Sequence, residues 1–350
     1  MKQVIRYLIL WLTTGCNLDC LYCYREKEDS IRSLTLGDAQ KALRLAALSG
    51  KSFHVQLAGG EPTLEPALIE AIAATIRRNA WPATIALQTN GTLIDERLIS
   101  LCQKYNIQIG VSLDGTPDIQ ERLRGSARET LLGLKKLEAG NVNFRVTTVV
   151  TEVNVGHLWR LALLLSGFRS ARGMGLDLLV NKGRAARDNL IKSPSVDSLT
   201  AGLKKLLDTI GSINKRRTPP LQLREFENLY KQSDKTGKRA YCHACQGESL
   251  AVHPDGALYP CGQTIGDPDF VCGTLDSPDW PRLKTLSSYR LEGLNCFTCP
   301  IEEHCPGDCP SRQHYNNRKD RLLICAMYQT LWQYGSQRAS LPCDGGDAIS

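Results

Sequence analysis

Three cysteines stand close together near the start of the chain: Cys16, Cys20 and Cys23, spaced C-x3-C-x2-C. They follow directly on an apolar run, Val4 to Leu12, that reads as a β-strand. Thiolates hold iron–sulfur clusters, about four to a [4Fe–4S] cube. With three local thiolates, one iron keeps an open position for a small chelator. An open position marks a reactive metal centre rather than a structural one. Three other readings compete. A zinc knuckle needs a fourth ligand, and no His or Cys follows closely enough to supply it. A disulfide pair needs an oxidising compartment. Lys2, Arg6 and the run into Leu12-Thr13-Thr14-Gly15-Cys16 imitate a short lipoprotein-type export signal, but cleavage there would leave Cys20 and Cys23 without a purpose.

This spacing, with the aromatic Tyr22 before the third cysteine, resembles the cluster loop of the radical S-adenosylmethionine (SAM) superfamily. The resemblance implies that Cys16, Cys20 and Cys23 hold a [4Fe–4S] cube. SAM would chelate the open iron through its amino and carboxylate groups. Reductive cleavage of its sulfonium would then release a 5′-deoxyadenosyl radical that abstracts hydrogen.

Nine further cysteines crowd the C-terminal third: Cys242, Cys245, Cys261, Cys272, Cys296, Cys299, Cys305, Cys309 and Cys325. Their spacing resembles the seven-cysteine signature of the SPASM extension of radical SAM enzymes. The resemblance implies a β-hairpin plus loops carrying two auxiliary [4Fe–4S] clusters, for three clusters in all. One would sit on Cys242, Cys245, Cys261 and Cys309, the other on Cys296, Cys299, Cys305 and Cys325. Cys242 stands closer to Cys245 than in some relatives, so Cys272 is a spare that could replace it. Paired zinc-ribbon sites are the rival, because Cys242-x2-Cys245 and Cys296-x2-Cys299 also suit zinc. Cys102 falls in a helical pattern as a core thiol, and Cys343 lies in a tail rich in Gly and Asp.

Elements that alternate must position these groups. Apolar periodicity predicts helices over 35–48, 65–78, 94–105, 128–138 and 155–166. Between them, 53–58, 84–89, 107–113, 142–150 and 176–180 read as strands. Regular alternation of this kind argues for βαβ units and a parallel sheet. Six units are too few for an eight-fold barrel and fit the partial (β/α)6 TIM-like barrel of the family. The expected fold class is therefore α/β, a partial (β/α)6 barrel with a C-terminal Cys-rich SPASM extension. Expected boundaries are 1–190 for the barrel, 191–240 for a helical linker, 241–335 for the extension and 336–350 for a tail. Within the linker, 194–213 and 221–230 read as helices and 231–239 as a connector; 252–259, turning at Pro254-Asp255-Gly256, reads as the hairpin.

Ligands of parallel α/β sheets gather at the carboxyl ends of strands. Strand two ends in Gly59-Gly60-Glu61-Pro62, where glycines let backbone approach a ligand and a carboxylate can accept from an ammonium. This resembles the family's GGEP motif, which holds the methionine amino group of SAM. Strand three ends in Gln88-Thr89-Asn90-Gly91-Thr92, a turn signal. By resemblance, Asn90 and Ser112 approach SAM, Ser112 near its ribose or carboxylate. Arg124 resembles an arginine that pairs with that carboxylate. The stretch 181–185, with Gly183-Arg184-Ala185, resembles a Gly-Arg-Ala segment common after strand six. Asp114 and His54 are candidates for a substrate-side base, though a buried, hydrogen-bonded His is the commoner case.

The chain is 350 residues long, 42% hydrophobic and 23% charged, ordinary for a globular protein with a proper core. Fourteen cysteines without an export signal favour metal in a reducing cytoplasm over disulfides. No apolar run is long enough to span a membrane. The net charge of +7 suits an acidic peptide as well as a merely solvated surface, and no recognition helix or long basic tract favours nucleic acid. SPASM enzymes act mostly on ribosomally made peptides and proteins, so the resemblance implies a maturase that crosslinks or excises part of a precursor peptide, fed by a flavodoxin- or ferredoxin-type donor. Formylglycine formation by an anaerobic sulfatase maturase is the alternative. In that group an acidic residue follows the cysteine matching Cys261 and serves as base; here it is Gly262. A metal-stapled scaffold is the reading from another class. The first strand begins within a few residues of Met1, leaving no room for a preceding leader-peptide binder. Either a separate small protein presents the substrate, or a strand edge near 180–187 takes the leader by β-addition.

Overall fold

The strands predicted from periodicity form, and every one of them joins a single sheet. In chain order these are β1 (Tyr7–Trp11), β2 (Phe53–Ala58), β3 (Ala83–Thr89), β4 (Gln108–Ser112), β5 (Phe144–Val150), β6 (Ala171–Leu178), β7 (Gln222–Leu223), β8 (Ser249–Val252) and β9 (Leu258–Tyr259). The helices are α1 (Leu36–Ala47), α2 (Pro66–Arg78), α3 (Glu96–Tyr105), α4 (Pro117–Leu123), α5 (Ala127–Ala139), α6 (Leu158–Ser166), α7 (Arg184–Asp188), α8 (Val196–Asn214), α9 (Arg224–Tyr230), α10 (Trp280–Ser287), α11 (Pro310–Tyr315) and α12 (Arg318–Ala339). The computed structural model describes residues 3–26, 28–230, 240–287, 296 and 298–339. The expected connector at 231–239, the end of the tail and Cys343 lie outside the described residues.

Helix ends carry the expected chemistry. Thr35 caps α1 by accepting from the Asp38 amide at 3.1 Å. Asp95 caps α3 through the Leu98 amide at 2.8 Å, and Asn106 ends that helix in the left-handed conformation. The sheet runs β7-β6-β5-β4-β3-β2-β1-β8-β9, parallel throughout except between β8 and β9.

Two faces of this sheet differ in kind. Leu8, Leu10, Val55, Leu57, Leu87, Val111 and Val146 are buried in the core shared with the helices. The alternate positions carry Tyr7, Ile9, Trp11, His54, Gln56, Gln88, Ser112 and Asp177. Parallel strands sandwiched by helices on both faces read as continuous apolar runs. The inner face of these strands is mixed: polar at Gln56, Gln88, Ser112 and Asp177, and apolar at Ile9 and Trp11, which pack with Ala251, Tyr259 and Phe270.

Two expectations need correction. The sixth strand starts at Ala171, not Leu176, because glycines hide its pattern. A Cβ at Gly173 would come within 2.5 Å of the Gln222 carbonyl, and one at Gly175 within 2.6 Å of the Arg224 guanidinium. The two glycines thus admit the following segment across the inner face. That segment, read as one helix over 221–230, is β7 and then α9.

The extension is also more closely joined to the barrel than the sequence suggested. β8 pairs in parallel with β1, Tyr7 against Ser249 and Leu10 against Val252, so the hairpin prolongs the barrel sheet. Helix α12 packs on α8 and α9. Among the described residues, no helix is long and apolar enough to cross a membrane.

Candidate active site

The cysteine loop leaves β1 and is stitched to the carboxyl ends of its neighbours. Gly60 and Glu61 donate their amides to the Thr13 and Gly15 carbonyls at 2.7 and 2.8 Å. A Cβ on Gly60 would collide with the Gly15 carbonyl oxygen, and one on Gly59, at φ +139°, would stand 2.6 Å from the Thr13 carbonyl. The backbone these glycines admit is that of the cysteine loop itself. The sequence had assigned the close approach to a ligand.

Glu61 is 1% exposed. Its Oε1 accepts from the Thr63 amide at 3.1 Å, Thr63 Oγ1 at 2.6 Å and Thr89 Oγ1 at 2.6 Å. Its Oε2 accepts from the Asn90 amide at 2.7 Å. Burial raises its pKa and these four bonds oppose the rise. An ionised carboxylate offers about four acceptor directions, and Oε2, with one bond, keeps room for a further donor. Pro62 is buried at the start of the short 3₁₀ turn that Glu61 caps.

Asn90 is buried and reaches the cysteine loop, its Nδ2 donating to Asn17 Oδ1 at 2.8 Å. Asn17 Nδ2 donates in turn to Thr92 Oγ1 at 2.8 Å. Ser112 stands on the inner face, where Gln88 Nε2 donates to its Oγ at 3.0 Å.

Tyr22, Asp114 and Arg124 form one buried unit. Asp114 is fully buried and accepts from Arg124 Nε at 2.8 Å, from Tyr22 Oη and from the Val149 amide at 3.0 Å. The Arg124 guanidinium lies over the Tyr22 ring, 5.3 Å from its centroid. Asp114 argues against its own candidacy as a base, since three donors already occupy its carboxylate. His54 is no better placed. It is second in β2, towards the amino end, with Nδ1 2.8 Å from Thr84 Oγ1 and its ring stacked 4.9 Å from that of Tyr7.

The thiols gather in three groups. Cys16, Cys20 and Cys23 lie within electrostatic range of one another, and burial pushes Cys20 up to about 11. Cys242 stands 3.8 Å from Cys245, and Cys261 and Cys309 share their surroundings. Cys296, Cys299 and Cys305 lie within electrostatic range of Cys325. Cys272 lies apart, 2% exposed, its thiol against the Phe270 carbonyl at 3.4 Å. Cys102 is buried among core side chains.

Among the described residues, no three His, Cys, Asp or Glu side chains converge to hold a single metal ion.

Several participants escaped the sequence reading. Arg25 donates to the Thr14 carbonyl at 2.8 Å and sits beside Cys23 and Cys16. Tyr24 lies within electrostatic range of both Cys23 and Cys261. Asp177 and Arg224 pair at 2.6 Å on the inner face, with Tyr7 nearby. No motif marks them; strand parity was the one signal available. The stretch 180–187 is not a strand edge. It contains α7, and the Arg184 and Ala185 amides both donate to the Cys23 carbonyl.

Comparison with known proteins gives the same picture. The family model described as Radical SAM superfamily matches residues 12–165. An AdoMet-dependent heme synthase of Methanosarcina barkeri is 32% identical over 88% of this chain and 92% of its own length. A serine-type anaerobic sulfatase-maturating enzyme of Klebsiella aerogenes is 25% identical, over 90% of this chain and 81% of its own. The solved structure of native anSMEcpe with bound AdoMet and the Cp18Cys peptide superposes with a TM-score of 0.73. It is 22% identical, covering 95% of this chain and 97% of that one.

Proposed function

The chain belongs to the radical SAM superfamily, and from that premise we propose that it matures a ribosomally made peptide, forming a crosslink or excising backbone. The observation that carries this reading is the backbone link between the two cysteine segments: the Arg184 amide donates to the Cys23 carbonyl at 2.8 Å, and Lys182, two residues before it, donates to the Gln263 carbonyl just after Cys261 at 3.0 Å. A radical source and an auxiliary electron carrier would thereby address one substrate.

With the cube on Cys16, Cys20 and Cys23, bound SAM supplies a 5′-deoxyadenosyl radical for hydrogen abstraction. The chain's own residues hold and orient. Glu61 Oε2 would take the methionine ammonium, and Asn90 and Ser112 would line the cofactor. Gly59, Gly60 and Pro62 fix the turn that presents Glu61. Tyr22 and Arg124 buttress the loop against α4, and Arg124, held by Asp114, would be the cation offered to the SAM carboxylate. Cys242, Cys245, Cys261 and Cys309 would hold one auxiliary cube, and Cys296, Cys299, Cys305 and Cys325 the other. A flavodoxin- or ferredoxin-type donor in a reducing cytoplasm would supply electrons. A separate small protein would present the peptide.

Support for a peptide comes from the anSMEcpe structure with its Cp18Cys peptide and from the polar groups Gln88 and Ser112 on the inner face. Formylglycine formation is the second reading, favoured by the sulfatase-maturating relative. Against it, Gly262 offers no carboxylate; a Cβ there would meet Ile9 of the inner face at 3.7 Å.

Anaerobic reconstitution with iron, sulfide, SAM and dithionite tests the reading. About twelve irons per chain and 5′-deoxyadenosine release support it; zinc without turnover supports the scaffold and overturns it. Incubation with a genetically neighbouring precursor, followed by mass measurement, separates the outcomes: a loss of two hydrogens is a crosslink, a larger loss an excision.

A further inference from the structure

Residues 179–185 form a strap between the cysteine loop and the segments that follow Cys261 and Cys309. At one end, the Arg184 and Ala185 amides donate to the Cys23 carbonyl at 2.8 and 3.4 Å. Arg184 also pairs with Asp19 of the cysteine loop at 2.8 Å. At the other end, the Asn181 amide donates to Asn316 Oδ1 at 2.9 Å, and Asn316 Nδ2 returns a bond to the Leu179 carbonyl at 2.8 Å.

Lys182 lies in the middle of this strap and is 7% exposed. Its Nζ donates to the carbonyls of Gln263 and Ile265 at 3.0 and 2.6 Å. Its ammonium also lies 5.4 Å from the Tyr315 ring centroid. The carbonyls it grips belong to the turn that leaves Cys261. Gln263 continues the contact, its Oε1 3.4 Å from Cys309 Sγ. Asp267 and Glu26 also face Lys182, and Cys261 lies within its electrostatic range. A buried ammonium is costly unless it is given partners, and this one is held by two carbonyls and a ring face beside a thiol group.

We propose that Lys182 sets the electron affinity of the auxiliary cube on Cys242, Cys245, Cys261 and Cys309, its fixed positive charge favouring the reduced form. The inference rests on the auxiliary cube proposed above. Cluster potentials follow net charge, hydrogen bonding and exposure, and a cation held in a poorly screened interior acts over several ångströms. The step concerned is a one-electron reduction of the cube from the 2+ to the 1+ level, with the electron drawn from a low-potential one-electron donor; no bond breaks and no proton moves. Because the same strap touches Cys23, Lys182 ties this property to the placement of the cysteine loop.

The test is an EPR-monitored dithionite titration of the full chain carrying C16A, C20A and C23A, so that auxiliary signals are read alone. Lys182→Gln keeps amide donors for the two carbonyls but removes the charge; Lys182→Arg keeps the charge. The expected result is equal iron content in all three proteins, a more negative midpoint for one signal in K182Q, and a near-parental midpoint in K182R. The cube on Cys296, Cys299, Cys305 and Cys325 should keep its midpoint and serves as the internal reference. An unchanged midpoint in K182Q overturns the role of Lys182 and leaves the auxiliary cube standing. Loss of iron in K182Q also overturns it, because Lys182 would then be a staple. Absence of any auxiliary signal in the parent overturns both readings.

Discussion

Asn17 in the cysteine loop and Asn90 at the end of β3 are joined side chain to side chain at 2.8 Å. Thr92 closes the ring, accepting from Asn17 and donating to Asn90 Oδ1 at 2.8 Å. The first strand's loop is thereby clamped by the third strand's turn. Asn17→Ala removes both of its bonds, each worth about 1 kcal/mol. The variant should unfold at lower urea and lose iron from the three-cysteine loop on desalting. Iron retention equal to the parent's would sink this.

Glu61→Gln places an amide where four donors converge. One donor must lose its acceptor, costing about 1–3 kcal/mol. The urea midpoint should fall. In addition, the EPR signal of the first cube should stop responding to SAM while its iron remains. A full SAM response would remove Glu61 from the cofactor site.

Gly60→Ala is a steric test. The new Cβ has the Gly15 carbonyl oxygen in its place, so the cysteine loop must move or the turn must open. Overpacking of this kind costs about 1–3 kcal/mol. We expect iron to fall by about four per chain, from the first cube, with the auxiliary signals intact. A normal iron count would show that the loop tolerates displacement.

Asp114→Asn breaks the pair with Arg124, whose partners are 0% and 11% exposed. Leaving a buried charge unpaired costs about 3–5 kcal/mol. The double variant with Arg124→Leu should recover part of that loss, measured by urea denaturation. If the single variant proves as stable as the parent, the buried unit contributes nothing to loop placement.

Cys272→Ala and Cys261→Ala differ in location, not chemistry. Cys272 packs against the Phe270 carbonyl in the core, whereas Cys261 shares its surroundings with Cys242 and Cys309. The first variant should keep its full iron content, and the second should lose one auxiliary EPR signal. Iron loss in C272A would make it a ligand after all.

Much of this was present in local sequence. Ligand chemistry depends on residue type and short spacing, so Cys16, Cys20 and Cys23 stood out as candidate ligands from the sequence. Strand β2 and helix α1 followed from periodicity because burial of one face imposes it. Gly173 and Gly175 broke that signal in β6, since a glycine bears no side chain to show which face is buried.

What tertiary structure alone decided are the partners. That Gly59 and Gly60 make room for backbone at Thr13 and Gly15, that Asp114 is occupied by Arg124 and Tyr22, and that β8 lies beside β1 all depend on strand order and register. The reach of Lys182 to Gln263 is of the same kind. Such contacts join segments far apart in the chain, and periodicity carries no information about which distant segment a side chain will meet. Sequence supplied the reactive groups; the path of the backbone determined which of them face one another.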